Sequence, residues 1–467
     1  MKIKIPFPPD FRLGAATAAY QIEGATDKDG KGLSIWDQYA RHSGRVHLNE
    51  TGDIACDHYH HLDEDLNLMA EIGLQAYRFS FAWTRLLPNG TSRLNQKGLA
   101  FYDRLIDGLL ERGIEPYATC FHWDYPLALY RQGGWLNPKS ADWFENYVTV
   151  LAKHFGDRIS HWMTINEPQI FVAFGHGENS SVNYAPGVKL GNADLVPLAH
   201  NVLRAHGRAV KALREHCKKP PTIGWAQACN AMIATNAQDG ELVERAYQQQ
   251  FSMENTRTNW ALQWSWWNDA AVLGEYPEDG LAYLGQHLPK RWERDLKSIC
   301  QPIDFIGLNC YSAWHIFSRN GNGEISSVTA WEQDNGFPET HFGWPVVPEA
   351  LYWAPKHFHR RYNLPIIITE NGMAGHDWVH LDGKCHDDHR IDFTTRYLRA
   401  LSSACADGVD VRAYFHWSLM DNFEWGDGYK HRFGLIHVDF RNPARPRTLK
   451  DSAYWYHSLI AAHSSRD

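Results

Sequence analysis

The chain has 467 residues, with 46 basic against 54 acidic side chains and a formal charge of -8 that is spread without any like-charged block. It lacks the basic footprint of a nucleic-acid binder and points to a neutral or polar small-molecule partner. No run of about 18 apolar residues occurs, and the opening MKIKIPFPPDFRLG has no apolar signal core, so we expect no membrane span and a cytoplasmic location.

Eight short runs rich in apolar, β-branched and aromatic residues follow in order, separated by segments of helical period. FRLGAATAAYQ, from residue 11, reads as a first strand whose end carries Gln21 and Glu23. After the amphipathic stretch 61–73 comes LQAYRFSFAW, from residue 74, with Arg78 and Trp83. A second amphipathic stretch, 96–113, leads to IEPYATCFHW, from residue 114, which ends in His122, Trp123 and Asp124. HWMTINEP, from residue 161, delivers Asn166 and Glu167 where Pro168 stops the strand. Beyond the helical segment 197–216 lie PTIGWAQAC, from 221, and IDFIGLNCY, from 303, which carries Asn309 and Tyr311. LPIIITENG, from 364, ends in Glu370 and Asn371. VRAYFHWSL, from 411, ends in Trp417, with Glu424 and Trp425 just beyond.

Near-continuously apolar strands alternating with helices argue for a parallel sheet covered on its outer face. Eight rounds predict an α/β fold, a single (β/α)8 TIM barrel with long βα loops, spanning residues 1–467 as one domain. A doubly wound open sheet would carry a glycine-rich turn after its first strand, and AAYQIEGATDKDGKG has neither GxGxxG nor a Walker lysine. The least regular stretches, about 175–195, 315–345 and 420–447, are expected to be loops after strands four, six and eight, on the face where barrel enzymes build their sites.

In a barrel all these strand ends share one face, and most present a carboxyl, amide, imidazole or aromatic group there. Glu167 and Glu370 end strands four and seven, whose side chains can meet across the barrel mouth. Two facing carboxyls suit glycoside hydrolysis, one protonating the leaving oxygen and the other attacking or stabilising the anomeric carbon. Arg78 and Tyr311 can lower the pKa of Glu370 and keep it an anion. Apolar surroundings and the charge of Glu370 can raise Glu167 and keep it an acid.

Tryptophan is unusually abundant, with 20 residues against 21 Tyr and 21 Phe, and flat rings beside carboxylates and amides suit a sugar with an apolar face and a hydroxyl rim. The eight cysteines form no CxxC pair and are expected to be reduced and mostly buried. HYHH, HFH and HDDH have ligand-like residues, but no HExxH occurs and no cysteine completes a zinc spacing, so no metal and no other cofactor is expected.

TINEP (164–168), TENG (369–372), AAYQIEG (18–24), YRFSFAW (77–83), FHWD (121–124), NCYS (309–312) and HWSLMDNFEW (416–425) resemble glycoside hydrolase family 1, the β-glucosidase family, in order from about residue 10 to 460. The resemblance implies a barrel that cleaves β-glucosides with retention, weaker action on β-galactosides or β-fucosides, Glu167 as acid/base and Glu370 as nucleophile. It further implies Gln21, His122, Trp123, Asn166, Asn309, Glu424, Trp425 and Phe433 around the non-reducing sugar, with Trp417 as its platform. A homo-oligomer is left open. Two alternatives stand beside this reading: a 6-phospho-β-glycosidase, against which Glu424 argues by repelling a phosphate dianion, and a non-catalytic sugar-binding barrel, which would have no need of both glutamates.

Overall fold

The computed structural model describes residues 5–91, 93–180, 182, 184–332 and 336–465, with the backbone alone at 255–257. Positions 181 and 183 of the loop 175–187 lie outside the described residues. Eight parallel strands close on themselves: β1 (Arg12–Ala16), β2 (Ala76–Ser80), β3 (Glu115–Phe121), β4 (His161–Asn166), β5 (Thr222–Ala234), β6 (Ile306–Arg319), β8 (Ile366–Asn371) and β9 (Val411–Trp417). The ring shuts where β1 pairs with β9, Gly14 opposite Phe415, and where β5 pairs with β6. Each of the eight apolar runs supplies one strand.

Burial on both faces explains the continuous apolar reading. Every residue of β2 and of β8 is buried, as parallel strands under a helical coat require. Apolar side chains fall into two groups. The larger fills the space between strands and helices. The smaller, with Ala16, Ala76, Tyr117, Met163, Ile367 and Phe415, draws on alternate strand positions inside the barrel. Helices Gln96–Glu111 and Asn192–His216 cover the sheet where amphipathic stretches predicted them. The first is capped by the Asn95 side chain accepting from the Lys97 N–H, and it buries Phe101, Tyr102, Leu105, Ile106 and Leu109 at helical spacing.

Two expectations change. The stretch 315–345 is not wholly irregular: β6 runs on to Arg319 and turns into β7 (Ile325–Thr329), its antiparallel partner. β5 likewise extends to Ala234 alongside β6. Their outer halves rise above the barrel rim as one wall of the mouth. Strand one stops at Ala16, and Gln21 rides on a single helical turn, Ala19–Ile22, that carries it back towards the site. Glu23 points away from the site. It pairs with Arg85 at 2.8 Å and accepts from the Tyr102 hydroxyl at 2.6 Å, a buried structural cluster.

Candidate active site

Arg78, on β2 inside the barrel, organises the strand ends. Its guanidinium donates to Glu370 Oε1 at 2.7 Å, to the Thr369 carbonyl at 3.0 Å and to Asn166 Oδ1 at 2.6 Å. A guanidinium can only donate, so Asn166 must present its oxygen there and its amide nitrogen elsewhere. That nitrogen lies 3.0 Å from His122 Nε2, which is therefore the acceptor of the imidazole. Asn309 Nδ2 donates to Asn166 Oδ1 at 3.0 Å and to Glu167 Oε1 at 2.7 Å. The Tyr311 hydroxyl donates to Glu370 Oε2 at 2.7 Å.

The backbone leaves the strands sharply at this face. Glu167 (φ 44°), Trp123 (φ 75°) and Trp425 (φ 47°) all occupy the left-handed region although none is glycine, a conformation that costs of order 1 kcal/mol each and tends to gather at functional sites. Pro168 opens the helix Pro168–Ala173 immediately after Glu167, so strand, carboxyl and helix follow without a loop. After Glu370 and Asn371, a Cβ on Gly372 would stand 1.8 Å from the Trp417 carbonyl; this close approach of β8 to β9 admits no side chain.

Glu167 and Glu370 line one cavity of ≈ 510 Å³ together with His122, Trp123, Asn309, Tyr311, Trp417, Glu424 and Trp425, a size suited to a small ligand. Its outer walls come from Ile170, Phe174, Trp264, Trp314, Trp331, Phe342 and Trp344. Trp331 and Trp344 thus both face the cavity. Sequence reading overlooked Trp264 and Trp314, although WSWWN was a visible aromatic cluster. Trp123 is tied down through its indole N–H to the Asn166 carbonyl at 3.0 Å, and its ring lies 4.5 Å from that of Trp425.

Burial and charge set the ionisation. Burial, and then the charge of Glu370, push Glu167 up to about 8, against a smaller opposing effect of the Asn309 hydrogen bond. Glu370 was expected below the ordinary carboxylate range, and here the structure differs. Burial outweighs the guanidinium of Arg78 and the hydroxyl of Tyr311, so its carboxyl also titrates above the usual value. The contrast between the two survives, because only Glu370 has a cation at hydrogen-bond distance. Burial, followed by Asp427, Glu370 and Glu167, raises Glu424 well above its usual range. Burial, and secondarily Arg78, depress His122, which stays neutral.

Other residues anticipated from sequence lie around this centre. Gln21 is fully buried and donates to the Asn422 side chain at 3.0 Å and the Phe423 carbonyl at 2.9 Å, while its Oε1 has no partner among the described residues. Asn166 and Arg78 are buried beside the lining residues His122, Asn309 and Glu370 and hold them in place. Phe433 does not line the cavity; its ring backs Tyr311, Phe342 and Trp344. Trp83 and Asn371 are structural, the former donating to the Gly90 carbonyl and the latter to the Cys310 carbonyl. His58, His60 and His61 each bind a neighbouring carboxylate. Among the described residues no group of three or more His, Cys, Asp or Glu is arranged to hold a metal ion, and no helix is long and apolar enough to cross a membrane. All eight cysteines are free thiols.

Missed altogether was a buried ionic cluster under the strand-end loops. Arg390 pairs with Asp377 and with Asp387, and Lys450 binds Asp377 at 2.6 Å and Asp421 at 2.7 Å, all without exposed side-chain surface. Arg390 also donates to the carbonyls of Met373 and Phe433. It thereby joins the loop beyond Glu370 to the loop beyond Trp417.

The family model described as Glycosyl hydrolase family 1 matches residues 3–465. Beta-glucosidase A of Thermotoga maritima is 41% identical over 466 residues, covering 99% of both chains. The 1,4-beta-D-glucan glucohydrolase of Thermotoga neapolitana is 40% identical over 466 residues, again 99% of both. Among solved structures, the beta-glucosidase from Thermotoga maritima in complex with glucoimidazole matches with a TM-score of 0.86 at 40% identity, over 98% of this chain and 100% of that one.

Proposed function

The chain belongs to glycosyl hydrolase family 1, and from that premise we propose that Glu370 is the nucleophile and Glu167 the acid/base of a retaining β-glucosidase. The enzyme removes terminal non-reducing β-D-glucosyl residues by double displacement, with β-galactosides and β-fucosides as weaker substrates. What supports the assignment above all is that two carboxyls share one cavity and only Glu370 is bound to a guanidinium, at 2.7 Å.

The chemistry follows from that asymmetry. Glu167, pushed up to about 8, holds a proton at neutral pH and can give it to the glycosidic oxygen. The carboxylate of Glu370 attacks the anomeric carbon as the aglycone leaves, forming a glycosyl ester. The ester is neutral, so the charge that helped raise Glu167 is gone. Its pKa falls, and it then accepts a proton from the water that cleaves the ester. Asn166, with its oxygen fixed by Arg78, is set to hold the sugar 2-hydroxyl, and Trp417 offers a ring face beneath the sugar. Among the described residues the lining carries the carboxyls of Glu167, Glu370 and Glu424 and no Lys or Arg to meet a phosphate, which disfavours a phosphorylated sugar. The Tyr429 hydroxyl, a candidate phosphate ligand in the same loop, is taken by the Thr51 carbonyl at 2.7 Å.

The test is Glu370→Gly. Hydrolysis of an aryl β-glucoside should vanish and return with azide, yielding the α-glucosyl azide. Undiminished hydrolysis without azide removes Glu370 from the nucleophile role.

A further inference from the structure

Thr369 immediately precedes Glu370 on β8, is fully buried, and sends its hydroxyl to the neighbouring strand β6. It donates to Asn309 Oδ1 at 2.6 Å. Asn309 in turn donates from Nδ2 to Glu167 Oε1 at 2.7 Å and to Asn166 Oδ1 at 3.0 Å. The direction of every link is determined. Arg78 has no lone pair to offer, so Asn166 Oδ1 accepts from it at 2.6 Å. The Asn309 atom facing Asn166 Oδ1 must then be the nitrogen, its oxygen faces Thr369, and the threonine hydroxyl must donate.

We propose that Thr369 is a positioning residue for the proton of Glu167: by holding the Asn309 amide in one orientation, it keeps an N–H on Oε1 and leaves Oε2 as the oxygen that carries and delivers the proton. An oxygen already accepting an N–H is the poorer site for a proton. Oε2 has no protein partner among the described residues, and Glu167 lines the cavity. The same N–H favours the carboxylate that Glu167 must become when it takes a proton from water. One hydroxyl on the nucleophile strand thus tunes the acid/base on β4, through an amide on β6. Without it, Asn309 Oδ1 is a buried acceptor with no donor, the contact with Asn166 Oδ1 is the one anchor left to the amide, and its N–H is held less firmly on Glu167, with a turn that sets its oxygen towards Glu167 made easier. A protonated Glu167 would then donate to that oxygen, and the acid form would be favoured too strongly.

The inference rests on the reading of Glu167 as acid/base, and the experiment separates the two. The pH dependence of kcat/KM for an aryl β-glucoside is measured for the parent enzyme, Thr369→Val, Thr369→Ala, Thr369→Ser and Glu167→Gln. Val keeps the shape and Ala the smaller volume; both lack the hydroxyl, so either serves if the other fails to fold. The basic limb should move up by about 0.5 to 1 pH unit in Val and Ala, the worth of one hydrogen bond to the carboxylate, and return in Ser. A purely structural loss would lower activity at all pH values and leave the limb in place. A limb that does not move in Val and Ala, or that moves in Ser as well, overturns the role of Thr369. A basic limb that persists in Glu167→Gln overturns the assignment of Glu167 itself.

Discussion

Glu167→Gln should make the protein more stable, and increasingly so as pH rises. In the folded chain burial and Glu370 push this carboxyl to about 8 from an ordinary 4.5. Between those values the unfolded chain has released the proton and the folded chain still holds it. The unfolded state therefore binds fewer protons and folding stability falls with pH, by about 1.36 kcal/mol per pH unit. The loss begins as pH passes 4.5 and stops growing above about 8. Glutamine has no proton to lose and keeps a carbonyl oxygen for Asn309 Nδ2. From pH 5 to pH 7 the stability gap should widen by roughly 3 kcal/mol. At about 2.1 cal/mol/K per residue over the chain's 467 residues, roughly 1 kcal/mol shifts Tm by about 1 °C, so the Tm advantage of the variant should grow by about 3 °C. Glu370 does not confound the comparison, since position 167 is neutral in both proteins over that range. Thermal scans at pH 5, 6 and 7 at one scan rate read the gap. A gap that stays constant with pH would refute the raised pKa of Glu167 and with it the electrostatic basis of the acid role.

Two further outcomes follow from buried charge. Arg78→Met removes the cation from Glu370 and the donor from Asn166, and kcat/KM for an aryl β-glucoside should fall by about 10³-fold or more. Stability should drop by about 3–5 kcal/mol, and the deficit should grow once pH passes the pKa of Glu370 in the parent fold, which burial already holds above its ordinary value, because the variant keeps that proton to higher pH still; a series of scans from acid to alkaline pH checks the sign. Lys450→Met strands Asp377 and Asp421, at a cost of about 3–5 kcal/mol, read as a Tm lowered by several degrees.

The barrel was legible because its eight strands are buried on both faces along most of their barrel-forming length and read as near-continuous apolar runs, while covering helices such as Gln96–Glu111 show one apolar stripe. Glu167, Glu370 and their neighbours were legible because a buried strand that ends in polar groups contradicts its own pattern. What sequence did not reveal depends on contacts distant in the chain. Ile325–Thr329 is strand only because β6 overruns the rim and offers it an edge. Glu23 looked like a site carboxyl until Arg85 and Tyr102 were seen to claim it. The sign of the Glu370 shift is a balance between burial and a guanidinium, and only the first-named residues of that balance could be read from sequence. The cluster of Asp377, Arg390, Asp421 and Lys450 spans 73 positions in its longest link, and no local pattern marks it.

Closure of the ring between β1 and β9 bears on how the protein is made. β1 finds its second neighbour only when residues 411–417 exist, and the Tyr456 hydroxyl and the His463 imidazole reach back to the carbonyls of Gly14 and Phe11. On the ribosome, the first strand must wait with one edge unpaired while some four hundred residues are added, at about 5–20 residues per second. For tens of seconds any sheet the nascent chain forms has an unpaired edge, the kind of surface that invites aggregation. The time translation takes to reach those late residues sets how long that edge stays open.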